Sequence, residues 1–172
     1  SRGYGAEVPF VRPSFLASDL STTRDVVIHA IEALEDVYDY VVVLQPTSPL
    51  RNTIHIDEAL EKSLKNSAAA IVSVTPCEHS PLWANTLPPD GSMDGFLEEL
   101  SASRSQDFPQ YYRLNGAIYI YDVVKYVGTD FCVYGESAFA YIMKNDVSVD
   151  IDTEFDFRLA TLLYEDSARF KG

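Results

Sequence analysis

The sequence predicts an α/β domain with a mostly parallel sheet, and three observations carry that prediction. Residues 40–44, 70–75 and 116–121 are short β-branched or aromatic runs of strand length, and an amphipathic segment at helical spacing separates the first two. The first run empties into a polar loop, residues 45–51, at the strand end where α/β sheets hold ligands. With 172 residues, 47% hydrophobic and 23% charged, the chain is long enough for one domain with a substantial core.

In chain order, residues 7–11 read as a short strand closed by Arg12-Pro13. Ser21 or Thr22 caps a helix in which Val26, Val27, Ala30, Ile31 and Leu34 recur at helical spacing, and this helix feeds the strand at 40–44. Thr53 opens a second helix, with Ile56, Ala59, Leu60 and Leu64 on one face, ending near Asn66 before the strand at 70–75. Strand, helix, strand is the parallel crossover unit. His29 and His55 fall inside these helices and read as structural, and no spacing links either to His79. Residues 76–110 carry Pro76, Pro81, Pro88, Pro89 and Pro109 and resist regular structure. A connection this long is functional or an arm that packs on something else, and Phe96, Leu97 and Leu100 favour the arm. A strand at 116–121, a short helical piece at 123–127, and extended pieces at 140–143 and 147–151 follow. Thr153-x-x-Asp156 announces the last helix, with Phe155, Leu159, Leu162 and Leu163 as its buried face.

The formal net charge is −13, with no run of Lys or Arg, so a nucleic-acid backbone has no basic face to dock on. An acidic protein binds a small polyphosphate only where a divalent cation and local arginines neutralise it, which directs attention to metal. Cys77 and Cys132 form no C-x-x-C pair, so neither a disulfide framework nor a zinc cage is expected and a reducing compartment fits. No apolar stretch approaches the roughly 18 residues that span a bilayer. The expectation is a soluble, cytoplasmic protein without membrane or nucleic-acid partners.

Three constellations could carry chemistry. Pro46 and Pro49 stiffen the loop that offers Gln45, Thr47, Ser48 and Arg51, although a plain strand-to-helix turn has the same composition. Asp150-Ile151-Asp152, on a strand, puts two carboxylates on one side, hard oxygen ligands suited to magnesium; alternatively Asp152 caps the following helix. Arg113-Leu114-Asn115-Gly116 sets a cation, an amide and a flexible residue before a buried strand, or forms an ordinary turn. Arg12, at a strand end, has the common alternative of pairing with a surface carboxylate. No G-x-S-x-G elbow, Walker loop or G-x-G-x-x-G is present.

LQPTSPLR at 44–51, RLNGAIYI at 113–120 and DIDTEFDF at 150–157, in that order, resemble the acylneuraminate cytidylyltransferases, the CMP-sialic acid synthetases. The opening YGAEVPFVRPSFLASD is similar too, and HSPLWANTLPPDGSMDGF resembles the family's dimerisation arm, so the likeness covers nearly the whole chain. The resemblance implies a Rossmann-like nucleotidyltransferase in which residues 76–110 form an inserted dimerisation arm and the enzyme is a homodimer. It implies transfer of CMP from CTP to the anomeric hydroxyl of a sialic-type nonulosonic acid, with release of pyrophosphate. Asp150 and Asp152 would be catalytic, holding Mg2+ or Mn2+. Gln45, Arg113, Asn115 and Tyr119 would line the sugar site, and Arg12 and Thr23 would lie near the cytosine.

Two departures accompany the likeness. Family members carry an R-Q-x-L-P segment whose arginine falls here on Ser105, with Arg104 one residue earlier, so Arg104 is the candidate to meet the sugar carboxylate. The family's glycine- and lysine-containing phosphate loop, with its strand, precedes the point where Ser1 begins. The 172 residues are therefore expected to be an N-terminally incomplete cytidylyltransferase domain that binds CTP poorly, with an unpaired apolar edge on the strand at 40–44. A second reading is a non-catalytic sugar-binding or regulatory module of the same fold. A third is activation of a related acid such as legionaminic acid, pseudaminic acid or Kdo.

Overall fold

The computed structural model describes residues 2–18, 21–97, 109–128 and 131–169. Among them, β1 (Tyr40–Val43), β2 (Ala70–Pro76), β3 (Tyr112–Asp122) and β4 (Ala138–Ile142) form a sheet in the order β1-β3-β2-β4. The helices are α1 (Thr23–Glu32), α2 (Thr53–Asn66), α3 (Val123–Val127) and α4 (Glu154–Arg169).

Local chemistry sets the helix starts. The Thr22 hydroxyl accepts from Asp25 N at 3.1 Å while the Asp25 carboxylate accepts from Thr22 N at 3.0 Å, closing a capping box on α1. Asn52 and His55 do the same for α2: His55 N donates to Asn52 Oδ1, and Asn52 N donates to His55 Nδ1, both at 3.2 Å. Partial burial pushes the His55 imidazole pKa down, favouring the neutral ring whose Nδ1 accepts that bond. His55, expected to be structural, is part of the cap of α2.

Helices cover the sheet on both faces. Ala59 of α2 packs with Ile71, Ala117, Ile118, Ile120 and Met143 on one side. On the other, Val27 of α1 and Tyr126 of α3 meet Ala70 and Tyr121, with Tyr119 at the margin. The alternation of Ile118 and Ile120 with Tyr119 and Tyr121 follows from the period of two in β3. Between two covered faces β2 is almost wholly buried, and its sequence is a nearly continuous apolar run.

The structure corrects four expectations. The sheet is mixed rather than mostly parallel: β3 pairs antiparallel with both β1 and β2, and only β2 and β4 are parallel. The β1-α2-β2 crossover does leave β1 and β2 pointing the same way, but β3 lies between them. Residues 7–11 form no strand, because Pro9 lacks the amide a ladder needs. Residues 147–151 form no strand either, so the strand spacing expected to set Asp150 and Asp152 on one side does not apply. Asn145–Val147 make a 3-10 turn, and Ser148 closes it by donating its Oγ to Lys144 O at 2.6 Å, the local bonding by which serine diverts backbone from a ladder. Finally, the apolar side of α4 is not a buried face. Ala160 is the buried residue among those described, while Phe155 is 73% and Leu162 56% exposed.

Between β2 and β3, the described part of the 76–110 excursion holds a single 3-10 turn, Pro81–Trp83. Leu87 and Met93 are exposed along it. Among the described residues β1 lies at one edge of the sheet, with Val42 36% exposed. No helix among the described residues is long and apolar enough to cross a membrane.

Candidate active site

The loop after β1 is braced from within. Ser48 N donates to Gln45 O at 3.3 Å, and the Arg51 guanidinium donates from Nη1 to the carbonyls of Gln45 and Ser48, the latter at 2.6 Å. Arg51 is therefore the clasp of its own turn, and partial burial pushes its pKa down. Gln45, with its backbone held this way, stands exposed at the rim. Ser48 is buried and donates its Oγ to the Asn115 carbonyl at 3.3 Å, tying the loop to β3.

There β3 departs from regular pairing. Val72 faces Tyr119 and Val74 faces Leu114, so residues 115–118 all stand opposite the one residue Ser73 of β2. Such a bulge strands backbone groups, and side chains take them up. Ser73 Oγ donates to Asn115 Oδ1 at 2.6 Å and accepts from Ile118 N at 2.7 Å, while Ala117 N donates to Asn115 Oδ1 at 3.3 Å. Asn115 Nδ2 completes the set by donating to Ser148 Oγ at 2.9 Å. Asn115, 2% exposed, is thus a framework residue joining the bulge to the segment before Asp150. The ordinary turn allowed for 113–116 is replaced by a bulged strand.

The bulge makes room for the site. Gly116 has φ +70°, and a β-carbon there would collide with Gln45 Oε1 and lie 3.6 Å from Asp150 Oδ2. Only glycine lets the Gln45 amide and the Asp150 carboxylate approach the same stretch of backbone. A second tie holds them: Ile151 N donates to Thr47 O at 2.8 Å, docking the Asp150–Asp152 segment on the loop. Asp150 Oδ1 is buried and has no hydrogen-bond partner among the described residues. Asp152 is exposed, and it is not the helix cap. That role belongs to Thr153 and Asp156, whose carboxylate accepts from Thr153 N at 2.8 Å and Thr153 Oγ1 at 2.7 Å and is held below its usual pKa by those bonds.

Arg113 forks onto Glu78, Nη2 to Oε1 at 2.8 Å and Nε to Oε2 at 3.3 Å. That hydrogen bonding draws the Glu78 carboxyl down to about 2 and raises Arg113, which also feels Asp150. Tyr119, half-buried, has its phenol pKa raised by burial first and by Tyr134 and Asp150 after that. Gln45, Gly116 and Asp150 therefore share one neighbourhood, and Arg113 and Tyr119 lie within electrostatic reach of Asp150. Arg12 and Thr23 share another, a cavity of about 320 Å³ with Ser21, Thr22 and Val26, none of which belongs to the Gln45–Asp150 cluster. Arg104 lies outside the described residues. Sequence reading missed Ser73, Ser148 and Glu78. Ser73 did leave a signal, a lone hydroxyl inside the apolar run AIVSV.

No family model matches the chain. Among curated proteins, the pseudaminic acid cytidylyltransferase of Campylobacter jejuni (strain NCTC 11168) is 32% identical over 165 residues, covering 94% of this chain and 71% of that protein. The chain belongs to the acylneuraminate cytidylyltransferase family. CMP-N,N'-diacetyllegionaminic acid synthase of Legionella pneumophila is 31% identical, again across 94% of this chain and 71% of its own length. N-acylneuraminate cytidylyltransferase of Escherichia coli O18:K1:H7 is 31% identical over 99% of this chain and 40% of its own length. Among solved structures, 4-diphosphocytidyl-2C-methyl-D-erythritol synthase from Anaerococcus prevotii superposes with a TM-score of 0.50 at 14% identity, covering 83% of this chain and 67% of that one. At that identity the match speaks for the fold alone. For this cytidylyltransferase family member, it is consistent with an α/β fold.

Proposed function

We propose that this chain carries the sugar site and metal carboxylates of an enzyme that transfers CMP from CTP to a nonulosonic acid. The observation that carries the reading is the convergence of Gln45, Gly116 and Asp150, with its buried unpartnered oxygen, in a chain that matches such enzymes along nearly its whole length. The anomeric hydroxyl of the sugar loses its proton to water and its oxygen bonds to the α-phosphorus of CTP as the bond to pyrophosphate breaks. Gln45 and Tyr119 orient the sugar, Arg113 receives its carboxylate, and Arg104 is a second candidate for that contact. Asn115 acts through the bulge, as a positioning residue. Arg12 and Thr23 line the cavity assigned to cytosine.

The donor set suits a hard divalent cation. Asp150 offers an oxygen that nothing else among the described residues satisfies, and Asp152 is free of the cap. In this reading the protein supplies two carboxylates, Asp150 and Asp152, and leaves other positions to phosphate and water. Mg2+ or Mn2+ held there would neutralise charge developing on the triphosphate. The exposed apolar side chains of the 76–110 arm favour a homodimer, and free Cys77 and Cys132 suit the reducing cytoplasm, where we place the enzyme.

Pyrophosphate release by the full-length protein from CTP and, in turn, N-acetylneuraminic, pseudaminic and N,N'-diacetyllegionaminic acids tests the assignment. Release with at least one acid is expected, and silence with all of them sinks the reading. Asp152→Ala and Asp150→Asn should each abolish release with little loss of thermal stability. Activity that survives both removes the carboxylates from the chemistry.

A further inference from the structure

The guanidinium that the proposed sugar site assigns to a carboxylate already holds one. Arg113 and Glu78 meet through two parallel N–H to oxygen bonds, the fork geometry in which arginine recognises carboxylates. Their side chains are 43% and 51% exposed, so an incoming acid reaches the fork without displacing any core. Glu78 follows Cys77, whose N–H donates to Tyr111 O at 2.8 Å. The backbone beside it is thus pinned to β3, and besides the fork the Glu78 carboxylate accepts from its own N–H and from the Asn145 amide, which hold it after an incoming acid has taken the guanidinium. Asp150 lies near enough to be felt by the same guanidinium.

We propose that Glu78 is a built-in carboxylate competitor at Arg113, displaced by the acid group of the sugar, and that it sets both affinity and selectivity for acidic over neutral sugars. The inference rests on the sugar-site reading of Arg113 given above. Exchange replaces one carboxylate by another with the hydrogen-bond pattern conserved. Because an exposed ion pair is weak, the balance tips to a ligand that brings contacts of its own. A neutral sugar leaves the Arg113–Glu78 pair intact and gains nothing from the guanidinium.

The test uses the full-length protein, CTP, and the three nonulosonic acids named above, together with the C1 amide of whichever acid is turned over. In Glu78→Gln the KM for the acid should fall roughly 2- to 5-fold, the worth of an exposed pair, while the inhibition constant of the amide stays put. In Arg113→Met the acid KM should rise by about tenfold or more and the amide constant should again hold. If Glu78→Gln leaves the acid KM unchanged, raises it, or fails to fold while Arg113→Met raises it, the pair is a structural clamp. The competitor role is then overturned and the sugar site stands. If Arg113→Met does not move the acid KM, or the wild-type protein turns over none of the acids, the sugar-site reading falls and takes this inference with it.

Discussion

Single residues decide whether this site exists. Gly116 has a positive φ and a side of its α-carbon already filled by the Gln45 amide. Gly116→Ala should therefore cost about 1–3 kcal/mol of stability and most of the activity, because backbone strain and the displaced amide act together. Denaturant unfolding and pyrophosphate release measure the two effects, and a variant with wild-type values in both would mean the bulge is elsewhere in solution. Asn115 is different, since its amide serves Ser73, Ala117 and Ser148 rather than an open cleft. Asn115→Ala leaves buried partners unsatisfied and should lower stability by about 1–3 kcal/mol. A loss of activity with full stability would instead put the amide on the substrate. The motif RLNG marked the right place, but the bulge was not legible from it. A bulge is a mismatch of register between two strands, and a sequence read one strand at a time does not contain it.

At the scale of elements, the caps of α1 and α4 were readable, because a cap involves residues three apart in sequence, whereas the Asn52–His55 box of α2 was passed over. Strand order was not readable. β3 follows β2 through the long excursion and returns antiparallel between β1 and β2, a choice made by packing on both faces rather than by any local pattern. The same limit explains α4, whose apolar period promises a buried stripe that the described residues leave in solvent. Phe155→Ser and Leu162→Ser should each change the stability of a dilute monomeric sample by no more than about 0.5 kcal/mol. A loss of about 2 kcal/mol or more at low concentration would show that α4 packs within its own chain. The loop after β1 stood out in sequence as a proline-stiffened array, yet its arginine turned inward. Arg51 had no partner to announce, because the acceptors are main-chain carbonyls of its own turn.

For the whole molecule, the acidic surplus of −13 makes every satisfied carboxylate matter to acid stability. Glu78 falls from its ordinary 4.5 to about 2 in the folded chain, so its contribution is full above pH 4.5 and fades as pH drops toward 2. The pair is half exposed, so the effect is small. Between about pH 6 and about pH 3 the wild-type protein should lose more stability than Glu78→Gln, read as the change in urea midpoint. Equal losses would mean the ion pair does not persist in solution. One further property follows from how the excursion begins and ends. Cys77 N and Tyr111 O are one hydrogen bond apart, directly beyond the Pro76–Tyr112 pair that finishes the ladder. The excursion is therefore a cassette with touching ends. Replacing residues 78–110 by an Asn-Gly hairpin turn should yield a trimmed protein that still melts cooperatively. Excursions exchanged between relatives at the same joint would change what this face of the molecule presents without asking the sheet to refold.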